Sequence, residues 1–231
     1  GLKDLKQMSE IQVKDLLEKV VKRLFLRLGA DGSQGELVVV FTGATAGFAQ
    51  AVRLVSDLVL KGYSLQILFS EQAEIIYGVD LRDRILGLPC VRIMNSRDWY
   101  RQVKKARALL VPLLSLNTLS KISLLIGDNA QTNTILQAMF MNVPVFMATD
   151  GADPQGKHWG RLSEAKVNTA LVQEVKNRFE ILQTYGCQLF RAGEILGAVE
   201  KQFSDGKIRD ASSYEQELNQ AGALEFKGRA V

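Results

Sequence analysis

The run Glu36-Leu37-Val38-Val39-Val40-Phe41-Thr42-Gly43-Ala44-Thr45-Ala46-Gly47-Phe48-Ala49 constrains the fold more than any other stretch. An apolar, β-branched run ends in a turn of small residues, and helical spacing starts directly after it. This is how the first strand and helix of a parallel α/β domain read. Glycines in the turn let the backbone approach a ligand. The helix behind it presents unpaired N–H groups and the positive end of its dipole. A phosphate-sized anion is therefore expected in the turn, with Thr42 and Thr45 adding hydroxyl donors. The alternative is a plain strand-to-helix turn with no ligand. No G-x-G-x-x-G is present and no Gly-Lys-Ser/Thr closes the loop, so the common nucleotide motifs are not met.

From Glu36 onward the β/α alternation is regular. Strand 37–41 is followed by a helix over 46–61, with Ala49, Val52, Val55 and Leu58 assigned to one face and Lys61-Gly62 as its stop. Strand 65–69 ends at Ser70, which is placed to cap the next helix. Residues 78–98 read as irregular, apart from a short strand at Val91-Arg92-Ile93. A helix over 98–106 leads to strand 108–113, where Ser115, Asn117 and Thr118 stand at the start of the next helix. Ile126-Gly127-Asp128-Asn129-Ala130-Gln131-Thr132-Asn133-Thr134 then heads a helix through Met141. So many amides and hydroxyls in one turn exceed what a single cap requires, though a well-capped buried helix remains the alternative. Strand 144–148, helix 162–184, strand 187–190 and helix 193–203 complete the pattern. The fold class is α/β, a doubly wound parallel sheet of Rossmann or flavodoxin-like type in three layers.

At 231 residues the chain holds one sizeable domain plus an appendage. A hydrophobic share of 47% and a charged share of 23% suit a soluble globular protein. The net charge is +4, but the basic residues are scattered among acidic ones, so no nucleic-acid partner is expected. Cys90 and Cys187 lie far apart, which suggests a reducing compartment, and the single histidine, His158, leaves too few soft ligands for zinc. No apolar run reaches transmembrane length and no secretory layout is seen, so a cytoplasmic protein with no membrane partner is expected.

The ordered segments resemble the homo-oligomeric flavin-containing cysteine decarboxylases, a group that includes phosphopantothenoylcysteine decarboxylase, lantibiotic peptidyl-cysteine decarboxylases and related prenyl-FMN synthases. The family's Thr-Gly-Ser-x-Ala turn reads Thr42-Gly43-Ala44-Thr45-Ala46 here, and its Thr/Ser-x-x-Ala turn reads Ser70-Glu71-Gln72-Ala73. Its Ala-Pro-Ala-Thr-x-Asn-Thr-x-x-Lys segment resembles Leu113-Leu114-Ser115-Leu116-Asn117-Thr118-Leu119-Ser120-Lys121-Ile122. Its Gly-x-x-Asp-Asn-Leu-x-Thr helix start resembles Gly127-Asp128-Asn129-Ala130-Gln131-Thr132. The resemblance covers about residues 36–203. It implies FMN at a subunit interface, with a trimer as the basic unit. The cofactor-binding residues it implies are Thr42, Gly43, Ala44, Thr45, Ser70, Ser115, Asn117, Thr118, Asp128 and Asn129.

The departures bear on function. The decarboxylase histidine would fall near Trp99, and none lies there. The substrate motif Pro-x-Met-Asn is replaced by Thr149-Asp150-Gly151-Ala152, and nearby His158 has no obvious partner. Ala44 stands where the family has a hydroxyl, which Thr45 replaces. A general acid must lie within reach of the reacting proton with a suitable pKa. The expectation is therefore an FMN-binding flavoprotein with a redox or electron-transfer role. A decarboxylase of a cysteine-type substrate and a non-catalytic oligomeric scaffold stay open as alternatives.

Residues 1–28 carry an amphipathic pattern, strongest over Val13–Leu24, joined by the Gly/Asp/Ser-rich linker 29–35. This resembles the encapsulation peptides of bacterial microcompartment cargo, which implies shell or cargo proteins as partners. The alternative is a helix folded back on its own domain. Residues 204–231 read as a polar tail, leaving 36–203 as the flavin-binding domain.

Overall fold

The structure is a computed structural model that describes residue 20 and residues 32–94, 99–156 and 168–204. Six strands are described: β1 (Glu36–Phe41), β2 (Ser64–Phe69), β3 (Val91–Ile93), β4 (Ala108–Leu113), β5 (Val145–Ala148) and β6 (Gln188–Phe190). Between and after them come α1 (Phe48–Leu60), α2 (Glu71–Leu86), α3 (Trp99–Lys105), α4 (Leu116–Ser123), α5 (Ala130–Phe140), α6 (Thr169–Thr184) and α7 (Ile195–Ser204). The sheet order is β3-β2-β1-β4-β5-β6 with every pairing parallel. That is the Rossmann order rather than the flavodoxin one, and the chain reverses direction across the sheet between β1 and β4.

β1 reads as an unbroken apolar run because both of its faces are covered. Val38 and Val40 join a core cluster with Val103 of α3, Ile122 of α4, Ile135 of α5 and Val175 of α6. The intervening Leu37, Val39 and Phe41 are also 0% exposed. α1 packs against β2, β4 and α2, whereas α3 packs on α5, and α4 on both α5 and α6.

Two sequence readings are corrected here. The buried face of α1 is Ala51, Leu54, Val55, Leu58 and Val59, not the stripe through Ala49 and Val52. A spacing of three under-rotates at about 100° per residue, so a run of such steps drifts around the helix, whereas steps of three and four hold one face. Residues 78–86, read as irregular, continue α2 as far as Leu86. Gly78 and the alternating charges after it obscured the period. Ala73 and Ile85 mark the buried ends of the helix.

β4 contains Pro112 in a central strand. Val39 pairs with Leu110 and Phe41 with Leu113, so one extra residue is accommodated in β4 at Val111-Pro112. Proline has no N–H for the ladder and is tolerated inside a sheet at such a bulge.

The chain divides into two compact units, Gly1–Leu196 and Gly197–Val231. Of the second, the described residues 197–204 are helical. The N-terminal amphipathic segment apart from Val20, the neighbourhood of His158 and the polar tail lie outside the described residues. Among the described residues no helix is long and apolar enough to cross a membrane, and no group of His, Cys, Asp or Glu could hold a metal ion.

Candidate functional site

The carboxyl ends of β1, β2 and β4 are tied together by specific bonds, and Thr42 is the central joint. Its hydroxyl donates to the Leu113 carbonyl at 2.5 Å and accepts the Ser115 N–H at 2.8 Å, with the residue 1% exposed. The tip of β1 is thereby fastened to the tip of β4 beyond the bulge. On the other side of β1, the Ser70 N–H donates to the Phe41 carbonyl at 2.9 Å. From α5, the Gln131 amide donates to the Phe69 carbonyl at 2.9 Å.

The β1–α1 turn is closely fitted. Ala44 N–H donates to the Thr42 carbonyl at 2.8 Å, and the Tyr77 hydroxyl approaches the same carbonyl at 3.4 Å. Tyr77 stacks on Phe48 with ring centroids 4.8 Å apart, and burial pushes its phenol well above the usual range. Gly43 lies against α2, where an added Cβ would meet Gln72 Cβ at 2.8 Å. Gly151 is wedged between Ala44 and the Leu114 carbonyl, which a Cβ would approach to 2.6 Å. Ala44, which stands in place of the family hydroxyl, is 5% exposed and faces this contact.

α1 starts from Gly47, left-handed at φ +85°, with no side-chain cap and no acidic residue in its first turn. The backbone N–H groups of Gly43, Thr45, Ala46 and Gly47 have no carbonyl partner among the described residues. Other helices differ. Ser70 Oγ accepts from Ala73 N–H at 3.0 Å, Ser115 caps α4 through Thr118 N–H at 3.2 Å, and Asn168 caps α6. Asn129 caps α5 in a reciprocal box with Thr132.

The sequence-derived residues thus fall into two sets. Thr42, Ser115, Thr118 and Asn129 are engaged within the protein, since Ser115 Oγ also donates to Thr118 Oγ1 at 3.0 Å. Asp128 pairs with Lys121 at 2.7 Å and accepts from the Asn129 amide at 2.9 Å. The hydrogen bond from Lys121 is the main cause that holds the Asp128 carboxyl below its usual range. Thr45 and Asn117 are exposed, and their side chains have no hydrogen bond among the described residues. The polar richness of 127–134 therefore belongs largely to capping and loop closure. Gly47, Tyr77, Gln131 and Gly151 were not singled out from sequence. A glycine immediately before a helix and one behind β5 were the legible signals, and Tyr77 carried none.

This edge can accept an anion at the start of α1 and can present neutral hydroxyl and amide donors beside it. Of its acids, Asp150 lies beside the start of α1, its carboxylate carbon 3.8 Å from where a Cβ on Gly47 would stand. Asp150 accepts the Ala192 N–H at 2.8 Å, and Asp153 pairs with Arg191 at 2.9 Å.

Comparison with known families finds a match over residues 28–195 to the family model described as Flavoprotein. No curated protein matches the chain. Among solved structures, DmrB of Burkholderia xenovorans, titled a cubic protein cage for redox transfer, is similar with a TM-score of 0.57 and 16% identity, over 75% of this chain and 97% of that one. The FMN-dependent cysteine decarboxylase TvaF of thioviridamide biosynthesis gives a TM-score of 0.51 at 16% identity, over 72% and 96%. The phenylacrylic acid decarboxylase of Aquifex aeolicus gives 0.50 at 17%, over 84% and 99%. At such identities the likeness is one of fold.

Proposed function

The chain belongs to the Flavoprotein family, and from that premise we propose that it binds FMN at the carboxyl edge of β1, β2 and β4 and serves in redox or electron transfer. The observation that carries this reading is the start of α1, which has no side-chain cap, where the N–H groups of Gly43, Thr45, Ala46 and Gly47 have no carbonyl partner among the described residues and the Thr45 side chain is exposed, while the neighbouring Asp150 carboxylate accepts from the Ala192 N–H. Such a turn suits a phosphate monoester without a lysine. In this reading the backbone of Gly43–Gly47 and Thr45 hold the phosphate, while Ser70 and Asn117 supply donors to the polar edge of the ring. Thr42, Ser115 and Thr118 act behind them by keeping the two strand tips in register. Gly151 and Ala44 keep the loops in contact beneath.

Bound FMN supplies one- or two-electron chemistry, and the protein supplies position and electrostatics. Redox transfer is preferred to decarboxylation because the ionisable groups held at this edge are engaged. Tyr77 is hydrogen-bonded with its phenol pushed up by burial, Lys121 holds the Asp128 carboxyl below its usual range, and Asp150 and Asp153 are bonded to the Ala192 N–H and to Arg191. The same reading carries a homo-oligomer built on trimers, and residues 1–28 as a docking peptide for microcompartment shell or cargo proteins. A fluorescent fusion to residues 1–28 that stays diffuse beside assembled shells would remove that last element.

The test is the visible spectrum of the purified full chain, identification of any released chromophore, and FMN titration of the stripped protein. Saturable binding is expected, weakened about tenfold in Thr45→Ala by loss of one charge-assisted bond. Reversible reduction without carbon dioxide release from a C-terminal cysteine peptide is the expected activity. Protein that stays colourless and takes up no FMN overturns the assignment, and carbon dioxide release overturns the redox role.

A further inference from the structure

The carboxyl edge is richer in donors than in acceptors, because the carbonyls at the strand tips are already bonded. The Phe41 carbonyl accepts the Ser70 N–H, and the Thr42 carbonyl accepts from the Ala44 N–H and the Tyr77 hydroxyl. The Leu113 carbonyl accepts from both the N–H and the hydroxyl of Thr42. The Phe69 carbonyl accepts the Gln131 amide at 2.9 Å, and Ser70 Oγ accepts the Ala73 N–H at 3.0 Å.

Gln131 is the second residue of α5 and reaches the tip of β2 across 62 positions of sequence. The Phe69 carbonyl can only accept, so the nitrogen of the Gln131 carboxamide must face it and the oxygen is turned to the other side. That oxygen, Oε1, has no hydrogen bond among the described residues. Nor is it sealed in, since the described side-chain oxygen buried without a partner is Gln102 Oε1, on α3. Gln131 thus presents an acceptor beside Ser70 whose orientation the protein itself sets. Asn117 also carries an amide, but no bond among the described residues fixes which of its ends faces the site. In the Asp-Asn-Leu-x-Thr segment that Asp128–Thr132 resembles, Gln131 stands at the open position.

The pyrimidine edge of a flavin ring runs carbonyl, imide N–H, carbonyl. Hydroxyl and amide donors can read the two carbonyls, whereas the central N–H needs an acceptor. We propose that Gln131 Oε1 is that acceptor and makes the site selective for a ring with a free imide N–H. This rests on the FMN reading above. An acceptor held in place in advance favours the ligand that matches it and rejects an analogue that leaves it unanswered.

The experiment titrates the stripped full chain with FMN and with N3-methyl-FMN, in which a methyl replaces the imide hydrogen, and follows flavin fluorescence. The wild type is expected to bind FMN at least about tenfold more tightly than the methyl analogue. Gln131→Met, of similar length and helix propensity, should bind the two within about twofold, as should Gln131→Leu. Loss of the bond to Phe69 weakens both flavins alike, so the ratio of affinities reads the acceptor and neither value alone does. A wild type that binds both flavins equally overturns the inference and leaves FMN binding standing. A tenfold preference kept in both variants also overturns it and assigns the reading to another acceptor. A chain that takes up neither flavin overturns the FMN reading as well.

Discussion

Replacing Thr42 by valine tests the joint between the two central strand tips. Valine keeps the shape and volume but removes a hydroxyl that donates at 2.5 Å to Leu113 O and accepts at 2.8 Å from Ser115 N. The Leu113 carbonyl retains a second donor, the Thr42 N–H at 3.3 Å, so its loss is partial. The Ser115 N–H is left with no partner among the described residues. An orphaned donor costs about 1–3 kcal/mol and a lost neutral bond about 1 kcal/mol, giving about 2–4 kcal/mol in all. For a chain of this size that corresponds to a fall of roughly 5–15 °C in thermal midpoint. Thr42→Ser keeps both bonds and loses one buried methyl, at about 1 kcal/mol. Urea unfolding with unchanged slope reads both values. The reasoning fails if Thr42→Val lies within about 0.5 kcal/mol of the wild type, or if serine is as damaging as valine.

Three further outcomes are expected. Gly151→Ala drives a Cβ into Ala44 and to 2.6 Å from the Leu114 carbonyl. It should destabilise by about 3 kcal/mol and abolish FMN uptake, and a folded variant that binds normally would refute the close fit. The Asp128 carboxyl, lowered mainly by its hydrogen bond from Lys121, contributes stability above its unfolded value of 3.8 that is lost as pH falls through the depressed one. Carbon-detected NMR titration should find its pKa below 3.8, rising toward that value in Lys121→Met, and no change in the variant would contradict the pairing. Burial pushes the Cys187 thiol up to about 12, so the unfolded chain ionises first and stability should decline from about pH 9 upward. Cys187→Ala should flatten that decline, and a thiol reagent that labels native Cys187 as fast as the unfolded chain would sink the account.

β1, β4 and β5 were legible because each is an apolar run bounded by small or polar residues. The stop after α1 was legible because Gly62 does what only glycine does without strain. Ser70 was readable as a cap, since a hydroxyl three residues before a free N–H has one favoured use. What escaped depended on partners distant in sequence. The phase of α1 is set by the sheet beneath it, and α2 is helical through 78–86 despite a weak period of its own. The bulge at Pro112 needs β1 alongside to have meaning. The same holds at the site. The concentration of amides at 127–134 suggested a ligand, whereas Asn129, Thr132 and Asp128 mostly answer one another. At this edge Thr45, Asn117, the Ser70 hydroxyl and the backbone of the first turn keep unengaged donors among the described residues.

The strand order carries a dynamic consequence. β3, β2 and β1 come from residues 36–93 and β4, β5 and β6 from residues 108–190, so the two half-sheets are each local in sequence and meet along a single ladder, β1 with β4. That ladder is the seam of the sheet, interrupted at Pro112 and sewn at its upper end by Thr42, through its hydroxyl and its N–H. Partial opening should follow it, with amides of β1 and β4 exchanging with solvent together before those at β1–β2, where the register runs unbroken from Glu36 to Phe41. A ligand held by loops from both halves spans the seam. Its binding would slow exchange on the two strands in concert, by the factor its concentration bears to its dissociation constant.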